Sequence, residues 1–282
     1  MSSIRYVFLG TPEIAVACVD ALTQAGFPPT LVITAPNRPA GRGQVLTPPP
    51  VKIWADTHHI PTLQPEKLDE VLDEISLQQW DVFVLAAYGQ ILSKKFLNIP
   101  RLGVVNMHPS LLPKLRGPSP IRTALLTNVR EHVGVSIMII DHKMDHGPVI
   151  AQKPITLETW PLMGSQLDTL LANEGARLLA EVLPAYVGGT ITPHEQNHEE
   201  ATYCKMIEKK DAEINLADDA RINLQKICAY DGWPSAYTIF DKNGKKIRLK
   251  IISAHIEAGT LILDRVVPEG KNEMYFSDFA RN

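Results

Sequence analysis

The sequence predicts an α/β fold: a mostly parallel sheet covered by helices on both faces, followed by a small β-rich domain. Three observations predict it. Short apolar runs at 4–9, 31–34, 82–86, 104–107 and 133–140 are interleaved with helical stretches, the pattern of a parallel sheet with crossover helices. The stretch 163–183 repeats apolar residues at helical spacing. Beyond residue 202 the apolar residues alternate in twos, the period of a strand with one buried face.

Taken in order, residues 4–9 read as a buried strand. Pro12 suits the first turn of the helix that follows, whose apolar stripe is Ile14, Ala15, Cys18, Val19 and Leu22, and Gly26 stops it. After a second strand at 31–34 comes APNRPAGRGQVLTPPP, with Gly41, Gly43 and five prolines. It has neither helical nor strand period, so a long exposed loop is expected, of a length that tends to carry function. Helices are expected around 66–76 and 119–127. In 163–183, Leu167, Leu170, Leu171, Leu178, Leu179 and Val182 share a face, and Gly175 leaves room on it for close packing. Pro184 is expected to end that helix and Gly188-Gly189 to turn the chain away. ITPHEQNHEEATY is polar and acidic and reads as a linker. In the tail, 236–240 and 245–251 flank Asp241-Lys242-Asn243-Gly244, a hairpin signal. Lys246, Arg248 and Lys250 alternate there with Ile247, Leu249 and Ile251, giving one basic and one apolar face. The expected organisation is a larger domain over 1–189, a linker over 190–202 and a small domain over 203–282.

Composition narrows the function classes. Cys18, Cys204 and Cys228 are widely spaced and lack CxxC pairing, which points to thiols in a reducing compartment and hence to the cytoplasm. No run of 18 apolar residues occurs, and the chain starts straight into a strand, so neither membrane span nor signal peptide is expected. A net charge of −3 argues against indiscriminate coating of nucleic acid. Local basic surfaces remain open, because charge acts over about a Debye length, ~8 Å at physiological salt.

The chemistry-bearing stretches come at strand ends. In NMHPSLLP, Asn106 and His108 are two apart, so they emerge on one side at the C-terminal edge of the sheet, where open α/β folds place ligands. Pro109 fixes the backbone beyond them. Ser110, Leu111, Leu112 and Pro113 then supply main-chain polar groups beside two apolar side chains, a surface able to hold a flat heterocycle. A hydrogen-bonded strand end with a rigid turn is the blander reading of the same residues. IDHKMDHGPVI follows another apolar strand with Asp141 and Asp145. A carboxylate there could pair with His108 or take a proton through water, or it could cap a turn.

Other patterns carry less. His194-Glu195-Gln196-Asn197-His198 spells HExxH, but it follows Thr192-Pro193 in a polar stretch with no apolar stripe to seat a helix, so no metal is expected. His142, Asp145 and His146 in one turn likewise read as exposed. Gly41-Arg42-Gly43 and Gly10-Thr11-Pro12-Glu13 both fail the dinucleotide fingerprint. Basic residues fall in two groups, Arg38, Arg42 and Lys52 on and after the long loop, and Lys242, Lys245, Lys246, Arg248 and Lys250 on the hairpin. Singly each is a solvated face; together they offer phosphate contacts.

NMHPSLLP, then Arg116-Gly117 and Pro120, then MDHGPVI at 144–150, together resemble the signature of the folate-dependent formyltransferases. FLGTPEIA at 8–15, the APNRPAGRG and PPPVK pieces of 35–52, AAYGQIL at 86–92 and ATYCKMIEKKDAEI at 201–214 resemble the members that act on aminoacyl-tRNA, so the resemblance runs end to end. It implies a Rossmann-like, mostly parallel-sheet formyltransferase domain with a small C-terminal OB-like β-barrel. It also implies transfer of the formyl group of 10-formyltetrahydrofolate, a co-substrate used without metal, to the α-amine of methionyl-initiator tRNA. Asn106, His108 and Asp145 fall on the family's catalytic positions. Ser110, Leu111, Leu112 and Pro113 fall on one side of its folate pocket, and Tyr88, Gly89, Gln90, Ile91 and Leu92 on the other. Arg38 and Arg42 fall on the insertion that reaches tRNA, while Lys245, Lys246 and Arg248 lie on the tail domain expected to contact it. A cytoplasmic monomer is the expected form. The alternative is a small amine acceptor, such as a purine precursor ribotide or an aminosugar nucleotide, which would need neither the arginine loop nor the second domain. Two features depart from the family pattern: the short tail, and His146 where a small or hydroxyl residue is commoner.

Overall fold

The computed structural model describes residues 4–40, 43–242 and 244–281. Gly41, Arg42 and Asn243, which sequence reading assigns to the arginine loop and the hairpin turn, lie outside the described residues. In chain order the elements are β1 (Tyr6–Gly10), α1 (Glu13–Gln24), β2 (Leu31–Ile33), β3 (Arg38–Ala40), β4 (Val45–Thr47), α2 (Pro50–Thr57) and β5 (Thr62–Leu63). Next come α3 (Leu72–Ser76), β6 (Val82–Ala86), α4 (Lys94–Leu97), β7 (Val104–His108), α5 (Pro120–Thr127), β8 (Gly134–Ile139) and β9 (Val149–Pro154). The last are α6 (Gly164–Val187), α7 (Ala220–Ala229), β10 (Tyr237–Lys242), β11 (Lys245–Glu257), β12 (Thr260–Pro268), β13 (Met274–Tyr275) and α8 (Phe276–Arg281). These elements fall into two compact units, one of residues 1–116, 134–155 and 169–202, the other of 117–133, 156–168 and 203–282.

The first unit is built on a seven-stranded sheet of order β5-β2-β1-β6-β7-β8-β9. The strands from β5 to β7 are mutually parallel; β8 and β9 are added antiparallel. Strand order reverses at β1, so the C-terminal ends of β1, β6 and β7 share the edge where such sheets open a crevice. Strands β1, β6 and β7 are buried on both faces, with only Leu85 partly exposed, which is why they read as continuous apolar runs. On one face α1 and α6 cover Phe8, Val84, Val105 and Met107. Gly175 of α6 allows this approach, because a Cβ there would run into the Met107 side chain.

Three expectations are corrected here. The proline-rich stretch contains a two-stranded ribbon, β3 against β4, with Arg38 opposite Thr47 and Pro39 opposite Leu46. Val45 and Leu46 are left exposed, so no buried face marks the ribbon in the sequence. Strand β9 was not anticipated, because only its first two residues are buried and the preceding Gly-Pro hides its start. Helix α6 does not stop before Pro184 but runs on to Val187. Burial of Leu183 and Tyr186, and the bond from the Tyr186 hydroxyl to the Leu102 carbonyl at 2.7 Å, outweigh the backbone bond that proline removes.

The second unit carries a four-stranded antiparallel sheet, β10-β11-β12-β13. Its hairpin closes tightly, Lys242 standing opposite Lys245. Along β11, Lys246, Arg248 and Lys250 are exposed while Leu249 and Ile251 are buried, as the alternation predicts. Those apolar residues pack with Ile227 and Tyr230 of the α7 region and Phe279 of α8. Helix α7 was not anticipated. Asp219 caps it, accepting from the amides of Arg221 and Ile222. Among the described residues no helix is long and apolar enough to cross a membrane.

Candidate active site

Asn106 and His108 close β7 on one face of the strand, both nearly buried at 9% and 4% exposure. Their strand neighbours on β8 are Met138 and Ser136. The His108 ring is held from both sides. Its Nε2 meets the Leu115 carbonyl at 3.1 Å; a carbonyl only accepts, so this nitrogen carries a proton. Its Nδ1 faces Asp145 Oδ1 at 3.7 Å, an ion-pair contact longer than a hydrogen bond. The remaining Nδ1 valence is therefore not consumed by the carboxylate and can be directed at a third atom.

Both flanking groups sit on left-handed backbone, Leu115 at φ 58° and Asp145 at φ 49°. Non-glycine residues adopt this region at a cost of about 1–3 kcal/mol, and such strain collects at functional sites. The turn at 110–115 is fastened from below. The Ser136 hydroxyl donates to the Ser110 carbonyl at 2.6 Å and accepts from the Leu112 amide at 3.1 Å. Gln152 donates to the Leu112 carbonyl and to Ser136, and the Ser110 hydroxyl donates to the Lys114 carbonyl. Leu112 packs with Met138 and Val149. Most polar groups of this turn are thus spent internally. It offers a rigid apolar shoulder of Leu111 and Pro113, seated on the buried Leu112, rather than a row of open main-chain donors.

The segment after β6 is of another kind. Ala87 and Gly89 have φ of 47° and 86°, Gln90 caps the Leu68 amide, and Leu92 packs into the core beside β6. Burial pushes the Tyr88 phenol up to about 12, and its buried hydroxyl has no partner among the described residues. Ile91 is 97% exposed.

A family model described as formyl transferase matches residues 4–183. The methionyl-tRNA formyltransferase of Chloroflexus aurantiacus is 44% identical over 248 residues, covering 87% of this chain and 79% of that one. The enzyme of the same name from Herpetosiphon aurantiacus is 40% identical over 300 residues, covering 99% and 97%. The chain belongs to the methionyl-tRNA formyltransferases. Solved structures agree on the fold: the methionyl-tRNA formyltransferase from Clostridium thermocellum superposes with a TM-score of 0.61 at 16% identity, covering 94% of this chain and 98% of that one. A sugar N-formyltransferase from Shewanella superposes with a TM-score of 0.67 at 16% identity, covering 90% and 99%.

In this formyltransferase the basic residues are distributed as follows. Arg38 pairs with Glu66, Lys52 pairs with Asp56, and Arg42 lies outside the described residues. Lys245, Lys246 and Arg248 are exposed on β11 of the second unit; the Arg248 guanidinium lies 3.7 Å over the Tyr237 ring. The HExxH pattern is not a helix. His194 pairs with Val149 in an isolated bridge, and the short turn His198–Glu200 follows. Among the described residues no group of three His, Cys, Asp or Glu could hold a metal ion. His146 stacks on His198 with ring centroids 3.9 Å apart and its Nδ1 meets Asp141 at 2.7 Å.

Sequence reading missed Leu115, Ser136, Gln152 and Gln196 in this formyltransferase site. Ser136 had a signal: it is a lone polar residue inside the apolar run GVSIMI, and a buried hydroxyl must find partners. Gln152 and Gln196 act on main-chain carbonyls distant in sequence and Leu115 through its own carbonyl, which no local pattern reports.

Proposed function

We propose that the chain transfers the formyl group of 10-formyltetrahydrofolate to the α-amine of methionyl-initiator tRNA, with His108, Asn106 and Asp145 as its catalytic groups. The carrying observation is the His108 ring, anchored through Nε2 with Nδ1 turned to Asp145. The donor supplies an electrophilic formyl carbon attached to a nitrogen that can leave. The residues do the rest. Asp145, whose side chain is 17% exposed, takes the proton that the attacking amine releases as its new bond to the formyl carbon forms. With a proton on each ring nitrogen, His108 donates through Nδ1, beside the Asn106 amide, to the oxygen that gains negative charge; one such donor is worth about 3–4 kcal/mol in the transition state. When the carbon–nitrogen bond of the donor breaks, His108 or Asp145 returns a proton to the departing nitrogen, so protons balance.

The 110–113 turn and the 88–92 segment would grip the donor from two sides, supported by the exposed Ile91 and the rigid Leu111–Pro113 shoulder. Arg38, Arg42 and the basic strand residues Lys245, Lys246 and Arg248 would meet tRNA phosphates, with the tail over 203–282, proposed as an OB-like barrel, as the module that carries the latter. Cys18, Cys204 and Cys228 carry thiols rather than disulfides, which supports work in the reducing cytoplasm; the proposed form is a monomer.

A small amine acceptor is the second reading, favoured by the shared fold with a sugar enzyme. Identity of 40% over nearly the whole of a tRNA-directed relative outweighs it. Incubation with 10-formyltetrahydrofolate and either methionyl-tRNA or an aminosugar nucleotide, followed by mass analysis, decides. Formylmethionine from the tRNA arm is expected; product only in the small-amine arm overturns the reading.

A further inference from the structure

The segment 194–202, which matches a zinc pattern and reads as a linker, grips both groups that hold His108. Gln196 is 6% exposed, and its amide makes four bonds. Its Nε2 donates to the carbonyls of Asp145 at 3.0 Å and Gly147 at 2.7 Å. Its Oε1 accepts from Arg116 Nε at 3.1 Å and Nη2 at 2.6 Å. Arginine only donates and carbonyls only accept, so the amide orientation is fixed. The Arg116 side chain, at 1% exposure, also donates to His198 Nδ1 at 2.9 Å.

Thr202 holds the other side. Its hydroxyl accepts from the Leu115 amide at 2.8 Å. Its carbonyl accepts from the Arg116 amide at 2.8 Å, and its own amide donates to the Pro113 carbonyl at 3.2 Å. The two left-handed residues beside His108, Leu115 and Asp145, are therefore each tied to one end of the same short segment. Without those ties, either residue could relax toward an ordinary backbone conformation and withdraw the group it presents.

We infer that Gln196 and Thr202 are positioning residues for formyl transfer: Gln196 sets the Asp145 carboxylate and Thr202 sets the Leu115 carbonyl against opposite nitrogens of His108. The inference rests on the assignment of His108 and Asp145 as catalytic. Misplacing a reacting group by about 1 Å can cost ~100-fold in rate while leaving substrate affinity alone.

Single-turnover formylation of methionyl-tRNA with excess enzyme reads even slow variants. Gln196→Met and Thr202→Val are expected to lower the rate about 10–100-fold, with half-saturating concentrations of donor and tRNA within ~3-fold. Thr202→Ser, which keeps the hydroxyl, should stay within ~2-fold. Should Gln196→Met fail to fold, Gln196→Glu keeps the Arg116 acceptor and removes the donor, and it carries the same expectation. In an Asp145→Asn background Gln196→Met should add less than ~2-fold further loss, since it acts through that carboxylate. The inference is overturned by wild-type rates in Gln196→Met, by weakened substrate binding at an unchanged rate, or by a full additional loss on Asp145→Asn. Wild-type turnover in Asp145→Asn alone would instead sink the catalytic assignment, whatever Gln196→Met does.

Discussion

Nδ1 of His108 lies 3.7 Å from Oδ1 of Asp145, while Nε2 of the same ring is bound to the Leu115 carbonyl at 3.1 Å. The ring therefore cannot turn without losing its anchor, and a single nitrogen is presented to the carboxylate. His108→Ala and Asp145→Asn should each lower turnover by ~10²–10⁴-fold, the range of a lost acid–base group or oxyanion donor. Asp145→Asn should melt close to the parent, Asp145 being a partly exposed loop residue. His108→Ala empties a buried position and strips the Leu115 carbonyl of its donor, so it should melt lower yet still fold. Formylation rates beside thermal denaturation curves test this; near-parental turnover in either variant removes the pair from the mechanism.

Ser136 supports the turn without facing the substrate. Its hydroxyl serves the Ser110 carbonyl, the Leu112 amide and Gln152, and the residue is fully buried. Ser136→Ala leaves the Ser110 carbonyl and the Leu112 amide without this bond in a dry environment, at a cost of ~1–3 kcal/mol. The unfolding midpoint in urea should fall accordingly and turnover should drop with it, because the same turn delivers the Leu115 carbonyl. A midpoint unchanged within error would mean that Gln152 alone secures the turn.

What the sequence reveals of this protein follows from which interactions are local. Strand β6 and the basic face of β11 were legible because burial and alternation repeat every residue or two. Asn106 and His108 could be placed at a sheet edge because they end the apolar strand β7, and Asp145 because it follows the apolar strand β8. The links from Arg116 to Gln196 and from Leu115 to Thr202 were not, since they join residues 80 and 87 apart in the chain, and the second starts from a main-chain amide that almost every residue possesses. The polar composition of 194–202 was read as solvation. Gln196 shows the other meaning of polarity, a buried amide with four hydrogen bonds to three residues. Pro184 misled for a related reason: its local cost is real, and tertiary burial of Leu183 and Tyr186 exceeds it.

Gly175 couples helix packing to the site. A Cβ at this position would collide with the Met107 side chain, and Met107 lies on β7 between Asn106 and His108. Gly175→Ala should destabilise by about 1–3 kcal/mol, the range for overpacking a core, and should lower turnover by shifting β7. Met107→Ala in the same chain makes room for the added methyl. The two substitutions should therefore be less harmful together than their sum, a coupling that a double-mutant cycle measures. Simple additivity would show that the helix yields and leaves the strand in place.

The basic face of β11 should matter to tRNA and not to folate. Lys245, Lys246 and Arg248 are exposed, although Arg248 is partly engaged by the Tyr237 ring, so the two lysines have more freedom to reach phosphate. Replacing all three by glutamate should raise KM for methionyl-tRNA and leave KM for 10-formyltetrahydrofolate unchanged. Each lost phosphate contact should also flatten the dependence of log affinity on log salt by about 0.7–0.9. Measuring tRNA affinity across a salt series separates this from misfolding, which would abolish donor turnover as well. A salt slope equal to that of the parent in the triple variant would mean that tRNA does not touch this strand, and the insertion bearing Arg38 would then have to supply the contacts.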